Sequence, residues 1–183
     1  KRFASNYAPA GGFSYGDQQR QNREFRVPPH SLDAEQAVLG SIMLRHDVLN
    51  DIVELVSEES FYSERHKIIF RTMTELQSQT IPIDLLSLKT RLEEKQELDT
   101  IGGSAYLAEL VNSVPSAANA TYYAEIVQTK FAMRNLILAS EQINQIGYQE
   151  DGALEEILDN AEKKIFEITG KGHKHKFTDI KSA

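Results

Sequence analysis

From Leu32 onward the apolar positions recur at intervals of three and four residues. No stretch alternates at two for long enough to predict a strand. Leu32, Val38, Leu39, Ile42 and Met43 share one face of a first predicted helix, with Ala37, Gly40 and Ser41 as a flank of small residues. Pro28 and Pro29 hold the chain extended just ahead of it. Ser31 or Asp33 then supplies the cap, Asp33 and Gln36 having the spacing of a capping box. Glycine inside a helix costs about 1 kcal/mol against alanine, so Gly40 predicts another helix packed close upon it. Asp47 is expected to cap a short helix carrying Val48, Leu49, Ile52, Val53 and Val56. Ser63 opens another with Ile69, Phe70, Met73 and Leu76. After a turn at Pro82, Asp84 caps a run through Leu85, Leu88 and Leu92. Gly102-Gly103 breaks the chain, and the helix over "SAYLAELVNSV" must stop before Pro115.

The last third differs in kind. Residues 116–146 contain neither proline nor glycine, enough for about 45 Å of helix at 1.5 Å per residue. Tyr122, Ile126, Met133, Leu136 and Ile143 form one stripe. Val127, Phe131, Ile137 and Leu138 widen it, which predicts packing on two sides. Gly147 and Gly152 bracket a turn, and Leu154, Leu158, Ala161, Ile165 and Ile168 follow at heptad a/d spacing. A long helix, a short turn and an a/d helix make an antiparallel hairpin, with Leu154, Leu158 and Ile165 as the seam or oligomer surface. The predicted fold class is all-α: a small helical bundle followed by a long antiparallel helical hairpin. The expected divisions are a disordered tail over 1–26, a globular subdomain over 27–115, the hairpin over 116–169 and a basic linker over 170–183.

Charge sharpens this picture. The formal total is −7, yet residues 1–30 and residues 171–183 carry +3 each, leaving −13 on 31–170. So acidic a body repels phosphate and favours proteins as partners. In the tail, Phe3, Tyr7, Phe13 and Tyr15 interleave with arginines, a pattern that either stacks on single-stranded nucleic acid or does nothing specific. No run approaches the roughly 20 apolar residues that span a bilayer, and no signal peptide opens the chain, so the cytoplasm is the expected compartment and no membrane the expected partner.

Candidate chemistry is sparse. Cysteine is absent. "TGKGHK" lacks the spacing and the hydroxyl of a phosphate-binding loop, and no H-E-x-x-H or E-x-x-H pair offers metal ligands. His66, two residues from Glu64 in "SERHK", reads as an ordinary surface or half-buried residue without a positioned partner. His173 and His175 lie among lysines that repel cations. The residues present predict no enzyme, no cofactor and no metal site within this chain.

Four ordered blocks carry a resemblance: "VPPHSLDAEQAVLGSIML", "FYSERHKIIFRTM", "PIDLLSLKTRLEEKQELDTIGGSAYLAEL" and "PSAANATYYAEIV". They resemble the N-terminal domain of bacterial replicative DNA helicases of the DnaB type, and the likeness runs from about Val27 to the end. That resemblance implies a collar of six copies, hairpins paired head to head as a trimer of dimers, over a ring of RecA-like motor domains. ATP and Mg²⁺ would belong to the motor domain expected beyond residue 183, and single-stranded DNA would pass through the full ring. The implied partners are further copies of the chain, primase and a helicase loader. For primase docking the matching positions are Tyr106, Ile137 and Ile143, each of which reads equally as core or hairpin packing. "FTDIKSA" resembles the start of a linker helix. Two other readings stand beside it: a free-standing helical adaptor dimerising through the hairpin, and a nucleic-acid binder acting through the tail.

Overall fold

The computed structural model describes residues 27–114, 116–148 and 154–172, with the side chains of the last helix described through Phe166. The tail 1–26, the Gly152 turn, the Ile168 side chain and the linker beyond Gly172 lie outside them. Seven α-helices make up the described chain: α1 Leu32–Leu44, α2 Leu49–Leu55, α3 Glu64–Ser78, α4 Leu85–Glu94, α5 Gly103–Asn112, α6 Ala120–Gly147 and α7 Leu154–Gly172. Short 3₁₀ turns at His46–Val48, Glu58–Ser60 and Ala117–Asn119 join some of them, and no strand occurs among the described residues.

α1 lies at the centre of the globular part, in contact with α3, α5 and α6. Val38, Leu39 and Ile42 are fully buried there against Leu49, Ile52, Ile69, Met73, Leu76, Leu88, Leu92, Leu107 and Leu110. Of the two candidate caps it is Ser31 that acts, its Oγ accepting from the Ala34 N–H at 3.4 Å. Asp33 sits in the first turn instead, where its charge complements the helix dipole. Asp47 is likewise no cap: it falls inside a 3₁₀ turn, pairing with Arg45 at 3.1 Å. Asp84 does cap α4, accepting from the Ser87 N–H at 2.8 Å while Ser87 Oγ accepts from the Asp84 N–H. The Ser87 N–H, with the Ser87 hydroxyl 2.7 Å from the same carboxylate oxygen, holds the Asp84 carboxyl below its ordinary range. Val53 and Leu85, expected inside, are exposed.

Gly40 fulfils its expectation. A Cβ there would meet the Leu110 carbonyl oxygen at 2.3 Å and Val114 Cγ2 at 2.9 Å, so α1 and α5 approach backbone to backbone. Two helices end without glycine: Thr80 (φ 58°) and Gln96 (φ 57°) take the left-handed conformation. The Ile81 and Glu97 N–H groups then reach back to the carbonyls of Leu76 and Leu92, both at 2.9 Å.

α6 belongs to both parts of the structure. Its first turns bury Ala120, Ala124 and Val127 in the globular core, and its later turns pack on α7. Where the two parts meet, Arg134 fastens the chain ahead of α1 to α6. Its guanidinium donates to the Pro29 carbonyl at 2.8 Å and to the Ser60 carbonyl at 2.7 Å, with its face over Tyr62 and Phe131.

Two outcomes follow. Gly40→Ala, despite the better helix propensity of alanine, is expected to destabilise the domain by about 1–3 kcal/mol through overpacking. A urea midpoint that falls at unchanged slope checks this; a rising midpoint contradicts it. Arg134→Met keeps the bulk but leaves two carbonyls short of a charged donor, and a loss of about 1–3 kcal/mol is expected. In thermal melting that corresponds to roughly 2–4 °C per kcal/mol for a chain of this size.

Candidate protein-docking surface

The hairpin turns different faces inward from those its large side chains suggest. On α6 the inward positions beyond the core are Asn135, Ala139, Ile143 and Ile146, spaced four, four and three, the face that α7 covers. Ala139 is the fully buried one, and its small side chain permits the approach. On α7 the half-buried positions are Ile157, Ala161 and Lys164, also one face. The a/d residues predicted as the seam point elsewhere: Leu154, Leu158 and Ile165 are 69%, 59% and 53% exposed. As an internal seam that reading is corrected for these three; of the predicted a/d positions Ala161 is half-buried, with Ile157 four residues before it on the same face.

Outward, α6 carries a second apolar group. Met133, Leu136, Ile137 and Leu138 are all exposed, Leu136 by 60%, and Tyr122 stands exposed nearer the globular part. Of the predicted stripe, only Ile126 and Ile143 are half-buried. The hairpin therefore presents large aliphatic side chains on α6 and on α7, in a pattern suited to docking another polypeptide.

The three residues expected at a docking surface separate. Ile137 lies in the exposed group, and Ile143 is half covered on the α7 side. Tyr106 is interior, only 6% exposed, and offers no aromatic face to a partner. Its hydroxyl lies 2.6 Å from His66 Nε2 and 3.1 Å from Gln36 Nε2, with the Arg65 guanidinium 4.0 Å above its ring. Burial pushes the Tyr106 phenol up from its ordinary value.

Behind Tyr106 lies a polar cluster that residue spacing did not announce. His66, read as a surface or half-buried residue, is fully buried, and Glu35 is 1% exposed. Glu35 Oε2 sits 2.6 Å from His66 Nδ1 and accepts from the Ser63 N–H at 3.2 Å; its Oε1 accepts from the Tyr62 N–H at 2.7 Å. Arg134, whose ionisation burial disfavours, is held charged in part by Glu35. A carboxylate, an imidazole and a hydroxyl in series have the order of an acyl-transfer triad. Here the hydroxyl is a phenol closed off from solvent, so no substrate reaches it. The only advance signal was Arg134, a lone cation in the apolar run "FAMRNLILA". Among the described residues no group of three or more His, Asp or Glu is placed to hold a metal ion.

Comparison with known proteins agrees with this geometry. Residues 27–129 match the family model of the DnaB-like helicase N-terminal domain. The chain is 39% identical over 156 residues to the replicative DNA helicase DnaB of Geobacillus stearothermophilus, covering 85% of this chain and 34% of that protein. It is 44% identical over 142 residues to the corresponding Buchnera aphidicola helicase, covering 77% of this chain and 31% of that one. The N-terminal domain of DnaB helicase from Mycobacterium tuberculosis superposes with a TM-score of 0.73 at 35% identity, across 77% of this chain and 99% of that one. A DnaB-like replicative helicase described with its interactions with primase gives a TM-score of 0.64 at 26% identity, covering 82% of this chain and 32% of that one. The chain thus spans about a third of the length of the curated relatives it matches. With the fold shared with a solved member and the family match running through the whole globular part, the chain belongs to the DnaB-like helicase N-terminal domain family.

Proposed function

We propose that this chain is the collar portion of a hexameric, ATP-driven replicative helicase, where it joins neighbouring copies and docks primase. The observation that carries this reading is the outward placement of Met133, Leu136, Ile137, Leu154 and Leu158 on a hairpin whose own packing uses another face, with Ala139, Ile143, Ile157 and Ala161. Six copies arranged as a trimer of dimers would cover the α7 leucines by pairing hairpins, leaving the α6 group for primase. A loader and single-stranded DNA are partners of the assembled ring, and the work is cytoplasmic. Among the described residues no helix is long and apolar enough to cross a membrane.

ATP and Mg²⁺ belong in this reading to the motor domain beyond the chain. "TGKGHK" has neither the glycine spacing nor the hydroxyl that cradles phosphates and magnesium, so no nucleotide chemistry is assigned to residues 1–183. A free-standing adaptor is the competing reading. A phosphate-binding loop encoded within about a domain's length downstream of residue 183 decides against it.

The docking residues separate by experiment. Leu158→Asp, at an exposed position, is expected to leave the helical circular dichroism unchanged and to lower the solution mass of the isolated chain toward monomer. Ile137→Asp should leave the mass unchanged and weaken capture of the C-terminal domain of primase by tenfold or more, the scale of one lost interface anchor. Ile143→Asp strikes the α7 contact as well, so loss of primase stimulation with loss of helix would mark it as a packing residue. Unchanged mass and unchanged primase capture in both of the first two variants would overturn the collar reading.

A further inference from the structure

One face of α6 is core at its near end and bare at its far end. Val127, Phe131, Arg134, Leu138 and Glu141 follow at intervals of four, three, four and three, so they form a single stripe along the helix. Val127 is buried in the globular cluster and Phe131 is half-buried. At Arg134 the globular part ends, and what lies on the stripe there is the chain ahead of α1, through the Pro29 carbonyl. Past Arg134 the stripe is open: Leu138 is 55% exposed, and Tyr148, seven residues beyond Glu141, is 80% exposed. α7 packs instead on the side of Asn135, Ala139 and Ile143, about a third of a turn round the helix.

The segment that runs into Pro29 is within reach of this open face. Leu138 lies about 6 Å along α6 from Arg134, and Glu141 about 10 Å, at 1.5 Å per residue. Phe25 precedes Pro29 by four residues, a span of up to about 14 Å in an extended chain. Pro28 and Pro29 start the segment extended, and in that form Arg23, Phe25 and Val27 share one side. Charge agrees, with +3 on residues 1–30 against −13 on 31–170. Glu141 is exposed and in no ion pair among the described residues. The family match begins at residue 27, so residues 23–26 lie outside what the family model describes. We propose that residues 23–26 fold back along α6 of the same molecule, with Phe25 seated on Leu138 and Arg23 against Glu141. The strap continues over the hairpin the packing that the globular part ends at Arg134, and it does not rest on the collar reading. Ile137 adjoins Leu138, so a partner that takes Leu138 must first lift the strap.

The chain contains no tryptophan, so Phe25→Trp introduces a single fluorescent reporter and keeps an aromatic ring at the seat, where an open face has room for it. In the 183-residue chain its emission should lie to the blue of free tryptophan and stay there on dilution. Adding Leu138→Asp, at an exposed position, should return the emission to the free value while the helical circular dichroism holds. Adding Tyr122→Asp instead should leave the emission blue, since Tyr122 is 61% exposed on the same helix but about 24 Å from Leu138. Free-like emission from Phe25→Trp alone, or a blue shift that survives Leu138→Asp, would overturn the proposal. So would a shift lost on dilution, which would assign the seat to a second copy of the chain.

Discussion

A carboxylate at the centre of an apolar bundle is the constraint on which the globular part turns. Leaving Glu35 ionised and dry would cost several kcal/mol, and the chain answers with three donors from three places: the Tyr62 and Ser63 N–H groups and the His66 ring. Those donors are the start of α3, so the bond set fixes where α3 begins and how it crosses α1. His66 then hands the same order on to α5 through Tyr106. Because Tyr62 is held by Glu35, its ring is in place to receive Arg134 and to stack on His30 at 4.4 Å. Removing the carboxylate would leave backbone N–H groups and an imidazole short of partners at once, which is why such a group is tolerated where a hydrophobe would pack as well.

Helix existence was legible in the sequence, because it depends on spacing that local geometry enforces. Val38, Leu39, Ile42, Ile69, Met73, Leu88 and Leu92 all went where their periodicity put them. Ends were less legible where the signal was not glycine: nothing about Thr80 or Gln96 marks them as residues with positive φ. Of the caps, Asp84 was legible outright, whereas Ser31 prevailed over Asp33 and Asp47 yielded to a 3₁₀ turn.

The hairpin was legible as two helices but not as a contact. Large aliphatics drew the reading to Leu154, Leu158 and Ile165, while close helix packing selects small residues, and Ala139 and Ala161 hold those places. The polar cluster left no signal in the sequence beyond Arg134, since its partners lie 31, 40 and 70 residues apart and no periodicity connects them. Tyr106 was singled out by likeness to relatives; its burial follows from the hydroxyl having a purpose inside.

α6 runs unbroken for 28 residues, about 42 Å, from the core positions Ala120 and Ala124 to the far end of the hairpin. A rod gripped at one end is a lever, and its pivot here is the Arg134 fastening and the alanines before it. A tilt of about 10° at that pivot carries the tip, about 20 Å beyond Arg134, through roughly 3.5 Å. Side-chain packing in the head absorbs such an angle with small rotamer adjustments, whereas anything seated at the tip must move by about two thirds of a helical turn's pitch.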